Sequence, residues 1–187
     1  MLEFAIRRLR PTDSLDGLTG LLHRAFRDLA MRGIECESAI QSVARTRERV
    51  LRGDCFVAVS SGDLIGTITL ENADRSSVIP SYRDARTASV HQLAVEPSRQ
   101  GAGVGGALIT HASAWARARR FARLALDTPE GALKQLAWYF DRGFDLVETV
   151  HVPSRRHASV VLAKSFVAIP ADLHSTAARG SFGFSSP

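Results

Sequence analysis

The sequence predicts a single α/β domain, with a mixed central sheet that contains one βαβ unit. Three observations lead there. A strand, a glycine-rich turn and a helix follow one another from Ala88 to Arg120, and a second strand follows at Phe121. A strand, a crossover helix and a returning strand make a parallel pair. Apolar periodicity along the chain gives the order β-α-α-β-β-β-α-β-α-β-β. The 187 residues, 45% hydrophobic, suffice for one sizeable core. No apolar run reaches the roughly 18 residues that a membrane span needs.

Phe4 to Leu9 reads as the first strand. Pro11-Thr12-Asp13-Ser14 stops it and supplies an N-cap. Leu15, Leu18, Leu22, Ala25, Phe26 and Leu29 then recur at helical spacing, so a helix should run from Ser14 to about residue 31 and end at Gly33. Glu37-Ser38 opens a second helix to Leu51, with Ile40, Val43 and Val50 inward and Arg45, Arg47, Glu48 and Arg49 solvated. Asp54 to Val59 and Leu64 to Leu70 form a hairpin across Ser60-Ser61-Gly62-Asp63. Gly66 marks a bulge or a close approach in the returning strand.

Residues 71–86 are polar, contain a proline and read as an exposed loop. The next strand, Ala88 to Val95, carries Val90, Leu93 and Val95 and is closed by Pro97. After the glycine turn, Val104, Ala107, Leu108, Ala112 and Trp115 define a helix. Phe121 to Asp127 is a short buried strand. Ala132 to Asp141 is a helix with Leu133, Leu136, Ala137 and Phe140 on one stripe, and Gly143 follows as its C′ residue. Phe144 to Val152 and Ser159 to Ala163 pair as antiparallel strands. The tail from Ser165, rich in Ala, Ser, Gly and Pro, reads as an extension of residues 165–187 beyond a domain of residues 1–164.

The glycine turn holds Gly101, Gly103, Gly105 and Gly106. Each glycine costs a helix about 1 kcal/mol relative to alanine. The first turn of a helix exposes N–H groups and the positive end of the dipole, and glycines let a phosphate approach them. The turn therefore reads as an anion site; the other reading is a tight turn with close helix–sheet packing. It is not a Walker A loop, because no Gly-Lys-Ser/Thr follows, and its GxGxGG run is read as an anion turn and not as the opening of a dinucleotide fold.

The stretch resembles the acetyl-CoA signature of the GCN5-related N-acetyltransferases. Gln100, Gly103 and Gly105 match Gln/Arg-x-x-Gly-x-Gly/Ala, after a strand ending in Val95-Glu96-Pro97. Tyr139 with Gly143-Phe144 matches the family's Tyr-x-x-x-Gly-Phe, and the resemblance covers residues 3–164. It departs where many members carry a CoA-contacting Asn, since Gly131 and Ala132 stand there. The resemblance implies an acetyl-CoA-dependent N-acetyltransferase acting on a primary amine by direct attack in a ternary complex. It also implies that the first two helices wall the acceptor pocket.

On that reading Leu93, Ala94 and Val95 offer a strand edge to the pantetheine arm, and one of their N–H groups stabilises the oxyanion. Gln100, Gly101, Ala102, Gly103, Val104, Gly105 and Gly106 hold the pyrophosphate. Tyr139 is the candidate acid toward the CoA thiolate; its other reading is a boundary aromatic, and Trp138 is structural or surface. His91 is the first candidate base and Glu71 the second, against a plain sheet histidine and a solvated loop carboxylate. O-acetylation, transfer of a larger acyl group and a non-catalytic acyl-CoA-binding module are the rival readings.

The net charge of +5, from 24 basic and 19 acidic side chains, suits a polyanionic cofactor. The arginines are scattered without interleaved aromatics, which argues against a nucleic-acid surface. The six histidines define no metal set, and Cys36 and Cys55 have no metal-ligand spacing. The N-terminal stretch MLEFAIRRLRP lacks the apolar core of a signal peptide. Together these features predict a cytoplasmic protein with no metal, no nucleic-acid partner and no membrane partner, acting on a small-molecule or peptide amine. Open strand edges leave room for a homodimer.

Overall fold

The computed structural model describes residues 3–153 and 155–166. Its strands are β1 (Ala5–Arg8), β2 (Asp54–Ser60), β3 (Asp63–Glu71), β4 (Thr87–Val95), β5 (Arg123–Pro129), β6 (Asp145–His151) and β7 (Ala158–Ser165). Its helices are α1 (Leu15–Met31), α2 (Val43–Leu51), α3 (Val104–Ala118) and α4 (Leu133–Phe140). The strands form one sheet in the order β1-β2-β3-β4-β5-β7-β6. Only β4 and β5 run parallel, with α3 as their crossover; the other neighbours are antiparallel. This is the mixed sheet with one βαβ unit that the sequence predicts.

Local signals set the helix ends. Ser14 caps α1 by accepting a hydrogen bond from the Gly17 N–H at 3.0 Å, and Gly33 leaves it at φ 76°. Gly143 leaves α4 at φ 74°. Period two distributes β2 between the faces: Phe56 packs with α3, whereas Cys55 and Val57 pack with α1 and α2. The main core lies between the sheet and Val104, Leu108, Ile109, Ala112 and Trp115 of α3. Leu18, Leu21 and Leu22 of α1 are fully buried on the opposite face.

Gly66 serves both purposes that its position suggests. The β2–β3 register shifts beside it, and a Cβ there would lie 3.0 Å from Val104 and 3.1 Å from Leu108. It lets α3 sit close on the sheet.

Several expectations are corrected. The second helix does not start at Glu37: a 3-10 turn spans Glu37–Ala39, and α2 begins after Ser42, whose hydroxyl accepts from the Arg45 N–H at 3.1 Å. Ile40, expected inward, is 82% exposed, and Thr46 is buried instead. Arg49 is withdrawn from water rather than solvated. The segment 71–86 is more than an exposed loop: around a 3-10 turn at Pro80–Arg83, Ile79 and Tyr82 are buried against Ala125, Val161 and Ala163, and Ser81 is buried with its hydroxyl donating to Glu148 Oε1 at 2.6 Å. On α4 the stripe is rotated. Leu133 and Phe140 are exposed, while Leu136, Trp138 and Tyr139 pack on the core. Ser165 and Phe166 continue the fold, the Phe166 N–H reaching the Ala122 carbonyl at 2.8 Å. The remainder of the expected extension, residues 167–187, lies outside the described residues.

Candidate active site

The site begins where β4 parts from β5. Their pairing runs from Thr87 opposite Arg123 to Val90 opposite Leu126 and stops there. Leu93, Ala94 and Val95 therefore have one edge without a strand, while Ala94 and Val95 pair with Thr67 and Gly66 of β3 on the other. A bulge opens the gap: two β4 residues, Gln92 and Leu93, stand opposite Ile68 alone, and Gln92 adopts φ 50°. A non-glycine residue there carries about 1–2 kcal/mol of backbone strain.

The open edge leads to the glycine turn, which is exposed from Gln100 to Gly103, buried at Val104 and half-buried at Gly105 and Gly106. Gly101 and Gly103 take φ 79° and 87°. Gly103 is the N-cap of α3, and no side chain caps the helix. The N–H groups of Gly101, Gly103, Val104, Gly105 and Gly106 have no hydrogen-bond partner among the described residues. Those of Gln100 and Ala102 differ, since the turn itself bonds them to the carbonyls of Pro97 and Arg99. The Gln100 side chain lies 3.4 Å from the Val95 carbonyl. A positive helix end with five uncommitted donors is a receptor for an anion.

Two side chains that sequence reasoning did not assign join this end. Trp138 sits against Gly105, where a Cβ would come within 3.2 Å of its ring. Arg142 stacks over that ring, 3.8 Å from its centroid, and a Cβ on Gly106 would be 3.9 Å from the guanidinium. A cleft of about 760 Å³ continues from there along α3, with Thr110, Arg117, Arg142 and Lys164 in its lining. It offers cations beyond the helix end. The four-residue spacing between Trp138 and Arg142 was the available signal.

On the opposite face of the sheet the structure brings His91 and Glu71 together. His91 Nε2 lies 2.9 Å from Ser89 Oγ and 3.8 Å from Glu71 Oε2. The ring meets Tyr82 edge-on, with centroids 5.5 Å apart. Burial pushes the imidazole below its ordinary pKa, against the opposing charges of Glu71 and Asp127, so it is neutral at pH 7. The Tyr82 hydroxyl donates to Asp127 Oδ1 at 3.0 Å, and Arg155 Nη1 donates to Asp127 Oδ2 at 2.5 Å. Asp127 is the first β5 residue past the last pair with β4. Burial raises its carboxyl, but Arg155 and Tyr82 together bring it below the usual range.

Tyr139 packs edge-on against Phe144 and Trp138. Burial, with a smaller effect of the Asp127 charge, holds its phenol well above the ordinary value, so it stays protonated. Asp127 thus lies within electrostatic reach of both Tyr139 and His91. The sequence offered no pattern for Tyr82, Asp127 and Arg155, which come from three distant segments. Among the described residues no cluster of His, Cys, Asp and Glu could hold a metal ion, and no helix is long and apolar enough to cross a membrane.

The model of the acetyltransferase (GNAT) family matches residues 22–144. No curated protein sequence matches at a significant level. Among solved structures, the PaiA N-acetyltransferase of Thermoplasma acidophilum in complex with coenzyme A is 18% identical, with a TM-score of 0.68 over 88% of this chain and 100% of that one. The ribosomal-protein-S18-alanine N-acetyltransferase of Escherichia coli is 18% identical, with a TM-score of 0.65 over 91% and 98%. A GNAT acetyltransferase of Elizabethkingia anophelis with acetyl-CoA bound is 16% identical, with a TM-score of 0.62 over 87% and 97%. At these identities the likeness is one of fold.

Proposed function

This chain belongs to the GNAT acetyltransferase family, and from that membership we propose that it transfers the acetyl group of acetyl-CoA to a primary amine by direct attack in a ternary complex. The observation that carries the reading is the uncapped N-terminus of α3 at the end of a β4 edge left open past Val90. The two features suit the two parts of one ligand. The helix end receives the pyrophosphate, through Gly101, Gly103, Val104, Gly105 and Gly106, with Gln100 and Ala102 shaping the turn. Leu93, Ala94 and Val95 extend the sheet with the amide-rich pantetheine arm. The cations Arg117, Arg142 and Lys164 suit the adenosine phosphate beyond.

Each chemical step has a candidate group. His91, neutral at pH 7, accepts the proton that the acceptor ammonium sheds, and Glu71 stabilises the imidazolium so formed. The amine nitrogen then bonds to the carbonyl carbon, and an N–H of Leu93, Ala94 or Val95 meets the developing oxyanion. As the C–S bond breaks, Tyr139 donates a hydrogen bond to the departing sulfur. Its raised pKa keeps that donor in place and makes it a weak proton source, so solvent completes protonation of the thiol.

The test is a free-thiol release assay with acetyl-CoA against amines, amino acids and peptides. The reading expects thiol release that depends on the acceptor. A protein that binds CoA and releases no thiol with any member would be a non-catalytic acyl-CoA-binding module.

A further inference from the structure

Two arginines on the His91 face of the sheet are anchored in the same way. Arg155 gives Nη1 to Asp127 Oδ2 at 2.5 Å and to Ser159 Oγ at 2.6 Å. Arg49 gives Nη1 to Gln41 Oε1 at 3.0 Å, and to Ser38 Oγ and Glu37 Oε2 at 3.3 Å. In both, the Nε–Nη2 edge makes no hydrogen bond among the described residues. That edge presents two parallel N–H groups, the arrangement that pairs with both oxygens of a carboxylate.

Position ties these edges to the reaction centre. Asp127, which holds Arg155, borders the gap between β4 and β5. Arg49 lies close enough to His91 and Glu71 for their charges to interact, and the Cys36 thiol feels both guanidinium groups. The Arg155 side chain is 39% exposed and so open to a ligand, whereas Arg49, at 18%, is largely removed from water. Glu37 also binds Arg45 at 2.6 Å, so Arg49 shares its counter-ion. Fastening the β6–β7 connection does not require Arg155. Arg156 already reaches Glu35 at 3.0 Å, and His157 Nε2 reaches the Glu35 carbonyl at 2.9 Å.

We propose that the acceptor carries a carboxylate as well as its amine, as an amino acid does, and that Arg155 grips that carboxylate with Arg49 alongside. The proposal rests on the acetyl-transfer reading, which puts the amine at His91. Asp127 and Ser159 hold the guanidinium in place beforehand, so little side-chain entropy is lost on binding. Arg155 acts as a specificity residue and takes no part in the proton transfers.

The test is calorimetry in two stages. CoA is titrated first. N-acetyl amino acids, the expected products, are then titrated into the CoA-saturated protein, each beside its carboxamide. At least one acid should bind about tenfold or more tightly than its amide, the scale of a lost charge-assisted hydrogen bond. Arg155→Gln should bring the two to equal affinity while CoA affinity is unchanged. Arg155→Lys keeps a cation beside Asp127 but loses the fork, so it should retain the fold and lose most of the preference. The proposal is overturned if no acid outbinds its amide, or if either variant keeps the full preference. Absence of CoA binding would instead overturn acetyl transfer itself.

Discussion

Gly103 and Gly62 allow the role of the glycine turn to be separated from its strain. Gly103 caps α3 at φ 87°, and Gly62 sits in the β2–β3 hairpin at φ 88°. A Cβ at either would meet nothing within 4 Å. Alanine therefore introduces no clash at either place, and left-handed strain of about 1–2 kcal/mol is the shared cost. Both variants should melt about 2–8 °C lower than the parent. Their CoA affinities should then diverge. At Gly103 the strained alanine pushes φ away from its native value, which turns adjacent N–H groups away from the anion. One such charge-assisted bond contributes about 1.5–3 kcal/mol, so Gly103→Ala should bind CoA about 10- to 100-fold more weakly. Gly62→Ala should bind it as the parent does. Calorimetry and thermal melts on the two variants supply the comparison. Equal melting losses with unchanged CoA affinity in Gly103→Ala would refute the reasoning.

Tyr139→Phe should lower kcat about 100-fold or more while CoA affinity stays within about twofold, because only the hydroxyl donor is removed; an unchanged kcat would remove Tyr139 from the chemistry. His91 gives a prediction in pH. Burial places its folded pKa below the usual 6.5. A base works deprotonated, so kcat/KM should rise with pH through that value and be level by neutrality. The acid limb should therefore lie below pH 6.5 and disappear in His91→Gln. A limb centred at about pH 7.5 or above would point to another group.

What the sequence made legible was local. The Ser14 cap, the Gly143 exit, the Gly66 close approach and the βαβ unit around Gly103 each depend on a few neighbouring residues, and each appears in the fold. The second helix went astray because Glu37-Ser38 looks like an N-terminal signal, whereas Ser42 makes the cap. The bulge at Gln92 carries no glycine to announce it. A trace of it was present nonetheless: Val90 and Leu93 are an odd number of residues apart, and both pack on the α3 core. Strict alternation would place them on opposite faces, so an extra residue lies between. Tyr82, Asp127 and Arg155 could not be grouped from spacing. Their union depends on the 3-10 turn at Pro80–Arg83 folding under β5, a packing event with no periodic signature.

The most direct measurement is a titration of CoA into the ¹⁵N-labelled protein, following backbone amides. Saturable shifts concentrated at Gly101, Gly103 to Gly106 and Leu93 to Val95 are the predicted result. No binding at millimolar CoA, or saturable binding whose shifts lie elsewhere on the fold, would contradict the account.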